Sequence, residues 1–198
     1  MNSEKKNKIL ESTLEIVREH GFHGCPMSAV AKKGGVAVGT IYHYFEGKDE
    51  LIHELYHYVV DLIYQSALEG DDVSKSFKER YLDLWKNLVR LYCAKPAILI
   101  FFELYNNSSY YSSEIYSKEN KFNRWLFDFF GEGLASGYLR PLNKEVLAIL
   151  VLGNITTCAK VNLYHVNKFI DKEIDPGLIA NIIWEGIKSE VHGNGSVK

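Results

Sequence analysis

Residues His53-Glu54-Leu55-Tyr56-His57 spell H-E-x-x-H, the spacing at which two imidazoles on one helical face hold zinc and the glutamate between them acts as a base. The chemistry would be hydrolysis by metal-bound water. No third ligand is marked out by spacing, and Leu51 and Leu55 set an apolar stripe beside the histidines rather than behind them. The pair therefore reads first as part of an amphipathic helix, with no cofactor and no resident metal expected. A second constellation lies just upstream, where Thr40, Tyr42 and His43 bring three hydrogen-bonding side chains to one short segment, followed by Lys48. Such groups suit the phosphate backbone of nucleic acid. Cys25, Cys93 and Cys158 match no metal spacing and read as free, buried thiols.

The elements that must hold these groups follow from periodicity. A first helix spans about Glu4 to His20, with Ile9, Leu10, Leu14, Ile16 and Val17 at helical spacing, Gly21 as its C-cap and Phe22 set to fold back on its end. Pro26 suits the first turn of a second helix that stops at Gly34-Gly35. A third runs from about Ala37 to Tyr44, with Ile41 and Phe45 as its buried residues, and Gly47 separates it from a fourth over Lys48 to Leu68. Two helices across a short glycine turn make a helix-turn-helix, an arrangement whose second helix can enter a DNA major groove.

The strings Gly35-Val36, Gly39-Thr40-Ile41-Tyr42-His43-Tyr44-Phe45 and Lys48-Asp49-Glu50-Leu51 closely resemble the DNA-binding domain of the TetR family of bacterial transcriptional regulators. The detailed match covers about the first quarter of the chain. The resemblance implies that Thr40, Tyr42 and Lys48 contact phosphate and that Gly39 lets the backbone approach DNA closely. Ser28 and His43 join them as candidate DNA contacts. The chain departs from the family pattern at Pro26 and Met27, where Thr is frequent, at Gly34, where Ala is usual, and at Ala37 and Val38, where Ser and a polar residue are common. Ala37 and Val38 then meet DNA through apolar contact with thymine methyls.

Composition fits this reading. Residues 1–50 carry seven basic and seven acidic groups within a net charge of −2, which argues against indiscriminate polyanion binding and leaves a site-specific contact open. The chain opens MNSEKKNKIL, with no apolar leader, and its longest apolar runs, Ala97–Phe102 and Val146–Leu152, fall short of the roughly 18 residues of a membrane span. A cytoplasmic protein without membrane association is expected.

Beyond Glu69-Gly70-Asp71-Asp72, the clearest linker, every strong period is again helical. The expected fold is all-α, with a helix-turn-helix domain at 1–47, a connecting helix at 48–70 and a ligand-binding and dimerisation domain at 71–198. Helix 4 alone is expected to join the two domains. One helix is lined by Phe77, Tyr81, Leu84, Trp85, Leu88, Leu91 and Tyr92, another by Phe122, Trp125, Leu126, Phe129 and Phe130. Asn143 caps a long helix reaching about Phe169, Asp175-Pro176 opens the last helix, and a frayed tail starts at Gly193.

The resemblance implies a pocket for a small effector between these helices. Trp85, Phe102, Tyr105, Trp125, Phe129 and Asn154 would give it apolar walls with a few polar groups, suited to a lipophilic or aromatic molecule. Val146–Leu163 is apolar nearly all round, and Leu178, Ile179, Ile182 and Ile183 form a stripe on the final helix beside Gly186. A homodimer, with Ile155, Ile179, Ile182, Ile183 and Gly186 at a four-helix interface, would cover both. The whole reads as a ligand-responsive regulator, a repressor by family habit, binding a palindromic double-stranded operator. The alternatives are a same-fold DNA-binding dimer without an effector, and a zinc enzyme built on His53 and His57.

Overall fold

In the computed structural model, which describes residues 2–69, 71–111, 120–164 and 175–190, the described residues form nine helices and no strand. They are α1 (Asn2–His20), α2 (Met27–Gly34), α3 (Val38–Tyr44), α4 (Lys48–Leu68), α5 (Phe77–Ala94), α6 (Ala97–Asn106), α7 (Lys121–Ala135), α8 (Lys144–Tyr164) and α9 (Pro176–Ile187). Gly70, the stretch to Phe169 and the tail from Gly193 lie outside the described residues.

The chain forms two compact units, residues 1–62 with 95–120 and residues 63–94 with 121–198. This grouping differs from boundaries at 47 and 70, because α6 packs on α1 and α4 contributes to both units. The chain thus crosses between units at three places, within α4, before Lys95 and after Asn120, rather than through helix 4 alone.

In the first unit α1 buries Ile9, Leu10, Leu14, Ile16 and Val17, and the buried Thr13 hydroxyl donates back to the Ile9 carbonyl at 2.7 Å. Gly21, at φ 67°, ends α1 by donating its N–H to the Val17 carbonyl. Phe22, expected on the end of α1, meets the α6 ring of Phe101 edge-on at 6.0 Å and that of Tyr110 at 5.1 Å. Leu51 and Leu55 of α4 are buried as expected, and Ile52, Tyr56, Val59 and Val60 widen the stripe. Glu11 accepts from Lys95 at 2.9 Å and Tyr58 at 2.8 Å, which tie α1 to the chain before α6 and to α4. These two bonds, Lys95 first, hold the Glu11 carboxyl below its ordinary pKa, while burial and then Glu11 push the Tyr58 phenol up.

In the second unit α5 packs on α8 and α9, and α7 on α8. Phe77 stacks on Phe129 at 4.6 Å and on Tyr138 at 5.5 Å. Gly133 is required there, since a Cβ would lie 2.5 Å from Phe77 and 2.7 Å from Leu139. Arg80, 6% exposed, donates to Asp71 at 2.7 Å and makes a bidentate pair with Glu132, while Trp125 Nε1 donates to Asp71 at 2.9 Å. Asn143 and Asp175 cap α8 and α9 as expected, accepting from the Val146 N–H at 2.9 Å and the Gly177 N–H at 2.8 Å.

Lys144–Leu163 is long and apolar enough by composition to cross a membrane, at mean hydropathy 1.7. Here Leu147, Val151, Ile155 and Ala159 are sunk into the second unit, whereas Val146 and Ile149 stay exposed. Ile155 was expected at the dimer interface. It is 0% exposed, covered by its own chain, and so belongs to the core. The stripe on α9 does face out: Leu178 and Ile182 are 58% and 57% exposed, Gly186 is exposed, and Ile179 and Ile183 are half-buried.

Candidate nucleic-acid interface

The turn between α2 and α3 is set by Gly35, whose φ of 61° is left-handed; its N–H and that of Val36 cap the Lys32 and Ala31 carbonyls. Gly34, where the family usually has Ala, has a reason in α1: a Cβ there would stand 3.3 Å from Ser12 Oγ, which is itself bonded to the Lys8 carbonyl. Pro26 is the N-cap of α2 rather than a first-turn residue, and Ala37 is the N-cap of α3; neither provides a side-chain cap.

Helix α3 is anchored by two residues. Ile41 is 0% and Phe45 1% exposed, and burial of each is worth about 1.5–3 kcal/mol. Its other face is open: Ala37, Val38, Gly39, Tyr42 and His43 are all exposed, Thr40 is half-buried, and Ser28 is exposed on α2. Val38 and Tyr42 are 40% and 54% exposed on this seven-residue helix. Gly39 is helical, with nothing within 4 Å of where a Cβ would stand, so no internal contact requires glycine. Around this face Lys32 and Lys33 close α2, and Lys8 Nζ lies 3.8 Å from the position of a Cβ on Gly35.

Lys48, expected to contact phosphate, is tied into its own chain at the start of α4. It is half-buried and its ammonium donates to the Phe22 carbonyl at 2.6 Å, an acceptor that offsets the unfavourable dipole of a helix start. Nearby Cys25 is fully buried, and that burial pushes its thiol pKa up against the opposing charge of Lys48.

His53 and His57 lie with Nε2 atoms 3.1 Å apart, and Glu54 is paired with Lys6 at 2.6 Å. The glutamate of a zinc hydrolase would have to be available to water. Among the described residues no group of three or more His, Cys, Asp or Glu gathers to hold a metal.

The six expected ligand residues are not brought together. Phe102 and Tyr105 belong to the first unit, where Tyr105 stacks on Tyr56 at 4.9 Å and on Phe101 at 5.5 Å. In the second unit Phe129 is stacked between Phe77 and Trp125, and Asn154 donates to the Leu150 carbonyl of its own helix at 2.7 Å. Trp85 alone of the six lines the cleft of about 470 Å³ between α5 and the start of α9, with Leu82, Lys86, Arg90, Ala180 and Asn181. Among the described residues its buried indole N–H makes no well-formed hydrogen bond, though it interacts with the Tyr81 hydroxyl. Lys86, Arg90 and Asn181 were not singled out in the sequence, because nothing local says that α9 crosses α5 there.

An all-α chain with a glycine-turned helix pair, whose second helix turns a polar and glycine-bearing face outward, defines a helix-turn-helix DNA-binding regulator of transcription. Residues 9–55 match the model of bacterial regulatory proteins of the tetR family, and residues 76–188 match the tetracyclin repressor-like C-terminal domain. The chain belongs to the TetR family. An HTH-type transcriptional regulator of Haemophilus influenzae is 30% identical over 185 residues, 91% of this chain and 94% of the relative. A TetR family regulator from Marinobacter aquaeolei has the same fold, with a TM-score of 0.83 at 24% identity over 94% of this chain and 96% of that one. The regulator FadR of Bacillus subtilis, solved in complex with stearoyl-CoA, aligns at a TM-score of 0.69 and 22% identity over 90% of this chain and 95% of its own.

Proposed function

We propose that the chain acts as a homodimeric repressor that holds a palindromic operator and releases it when a lipophilic or aromatic small molecule binds. The observation that carries the reading is the outer face of α3. Tyr42, His43 and Thr40, with Ser28 and the remaining donors of Lys48, position the protein on phosphates. Val38 and Ala37 touch thymine methyls, and Gly39 allows close approach. Dimerisation is supported by Val146 and Ile149 on α8 and Leu178 and Ile182 on α9, exposed apolar residues on two helices that pack on one another. Two recognition helices would then read half-sites about 34–36 Å apart or multiples of that.

The effector is assigned to the cleft beside Trp85. Its apolar floor and the basic rim of Lys86 and Arg90 suit an elongated apolar molecule with an anionic end. FadR of Bacillus subtilis, which shares the fold, is solved in complex with stearoyl-CoA.

Selection of duplexes from a random library by the full chain tests the reading. Symmetric sites bound by two chains are expected. Tyr42→Phe should weaken all sequences alike, whereas Val38→Ala should relax one base-pair position in each half-site. Enrichment of no duplex, or binding by a single chain, would refute it. An effector, once found, must lose affinity for the operator-bound protein by the factor by which it weakens operator binding.

A further inference from the structure

The histidine pair on α4 is not absorbed by DNA binding. His53 and His57 stand one helical turn apart, both half-buried, with ring planes at 83° and Nε2 atoms 3.1 Å from each other. We propose that the two form a bidentate site for a late first-row divalent metal ion such as Ni²⁺, Cu²⁺ or Zn²⁺.

Three observations support this. The first is convergence. With metal–nitrogen bonds of about 2.0–2.1 Å, a separation of 3.1 Å sets an N–metal–N angle of roughly 100°, between the octahedral and tetrahedral values. That separation lets the two nitrogens share one ion. The second is access. His53 lines a cleft of about 460 Å³ with Asp49, Glu50, Tyr105, Ser109 and Tyr110, through which a hydrated cation can enter and where its waters can be held. The third is the helix register, which places Asp61 one turn beyond His57, as His57 is one turn beyond His53. A carboxylate there suits an imidazole N–H on the side away from the metal.

Without metal, the 3.1 Å separation suits an Nε2–H of one ring donating to Nε2 of the other. Binding moves that proton to Nδ1 of the same ring, so that both Nε2 lone pairs face the ion and neither imidazole changes charge. Imidazole nitrogen selects Zn²⁺, Cu²⁺ and Ni²⁺ over Mg²⁺ and Ca²⁺. Among the described residues no third His, Cys, Asp or Glu joins the pair, so water fills the other positions. Glu54 contributes none, being paired with Lys6.

Calorimetric titration of the chelator-stripped full chain with Ni²⁺ is expected to show one ion per chain. His53→Gln and His57→Gln should each weaken binding by roughly tenfold or more, while exposed His20→Gln leaves it unchanged. The Cu²⁺ form should show coupling to two imidazole nitrogens by electron paramagnetic resonance, lost in either variant. Should a variant fail to fold by circular dichroism, protection in the wild-type chain decides: Ni²⁺ must shield both His53 and His57 from diethylpyrocarbonate. Equal uptake by wild type and the double variant, or protection of neither histidine, overturns the proposal.

Discussion

Replacing Gly39 by Ala separates what α3 does for the fold from what it does for DNA. Gly39 is the second residue of α3, its backbone is helical, and a Cβ would meet no atom within 4 Å. Alanine is favoured over glycine in a helix interior by about 0.5–1 kcal/mol, and at a first-turn position the lower figure applies. For a chain of this size 1 kcal/mol moves Tm by about 2–4 °C, so the variant should melt roughly 1–2 °C higher. On DNA the sign reverses. A backbone N–H reaching a phosphate oxygen at about 2.9 Å leaves little space for a methyl group beside it. A loss of about 1.4 kcal/mol, tenfold in affinity, is expected on every duplex irrespective of sequence. Differential scanning calorimetry and fluorescence anisotropy at fixed salt measure the two effects on one preparation. Unchanged affinity would refute the close approach. A lower Tm would refute the claim that nothing inside the protein requires glycine.

Four further outcomes are expected. Ala37→Ser gives α3 a capping hydroxyl at an extended N-cap residue and should raise the unfolding free energy by about 1 kcal/mol in urea; no gain would mean the first-turn N–H groups are already satisfied. Ile182→Asp should leave folded monomers in sedimentation, because the residue is 57% exposed, whereas Ile155→Asp should unfold the chain, because that residue is 0% exposed. Arg80→Ala strips Asp71 and Glu132 of their partner and should cost roughly 2–3 kcal/mol in the same urea assay; a change below about 0.5 kcal/mol would mean Asp71 is adequately held by Trp125. Tyr58→Phe removes one of the two bonds that depress Glu11, so the Glu11 carboxyl should titrate higher by NMR. Since the folded pKa lies below the unfolded one, this contribution to stability is present above the unfolded value and lost as pH falls through the folded one, and it should shrink in the variant.

What was legible in the sequence was local. Gly21, Gly35, Asn143 and Asp175 mark helix ends by their own backbone and side-chain chemistry, and the structure uses each that way. Ile41 and Phe45 were readable because a short amphipathic helix offers only one apolar face. What depended on distant partners was not. Ile155 and Ile182 are the same residue type on apolar helices; which one is covered depends on where α5 and α7 pack, and no period encodes that. The packing of α6 on α1, which takes Lys95–Asn120 into the first unit, is likewise a matter of tertiary contact. The aromatic residues expected in one pocket are spread over both units for a related reason: Phe129, Tyr105 and Trp125 are as good at filling a core as at lining a cavity, and here stacking and hydrogen bonding engage all three. Lys48 was expected from its position in a motif, but its bond to the Phe22 carbonyl comes from a loop 26 residues away.

The outer face of α3 makes sense only with something bound to it. Its N-cap lacks a capping group, at a cost of about 1 kcal/mol; Gly39 adds about 0.5 kcal/mol; and Val38 leaves apolar surface in water. Against this, burial of Ile41 and Phe45 contributes roughly 3–6 kcal/mol together, enough to retain a seven-residue helix that would not form alone. Stability of the chain by itself would favour Ser at 37, a polar residue at 38 and Ala at 39. Each departure removes bulk or polarity from an exposed position at the start of α3. Local rules broken together at neighbouring exposed positions, on a helix held by Ile41 and Phe45, are what a surface completed by a partner requires. The exposed apolar residues of α8 and α9 obey the same logic in the second unit. There the missing partner has the chemistry of the stripe itself, which a second copy of the chain would supply.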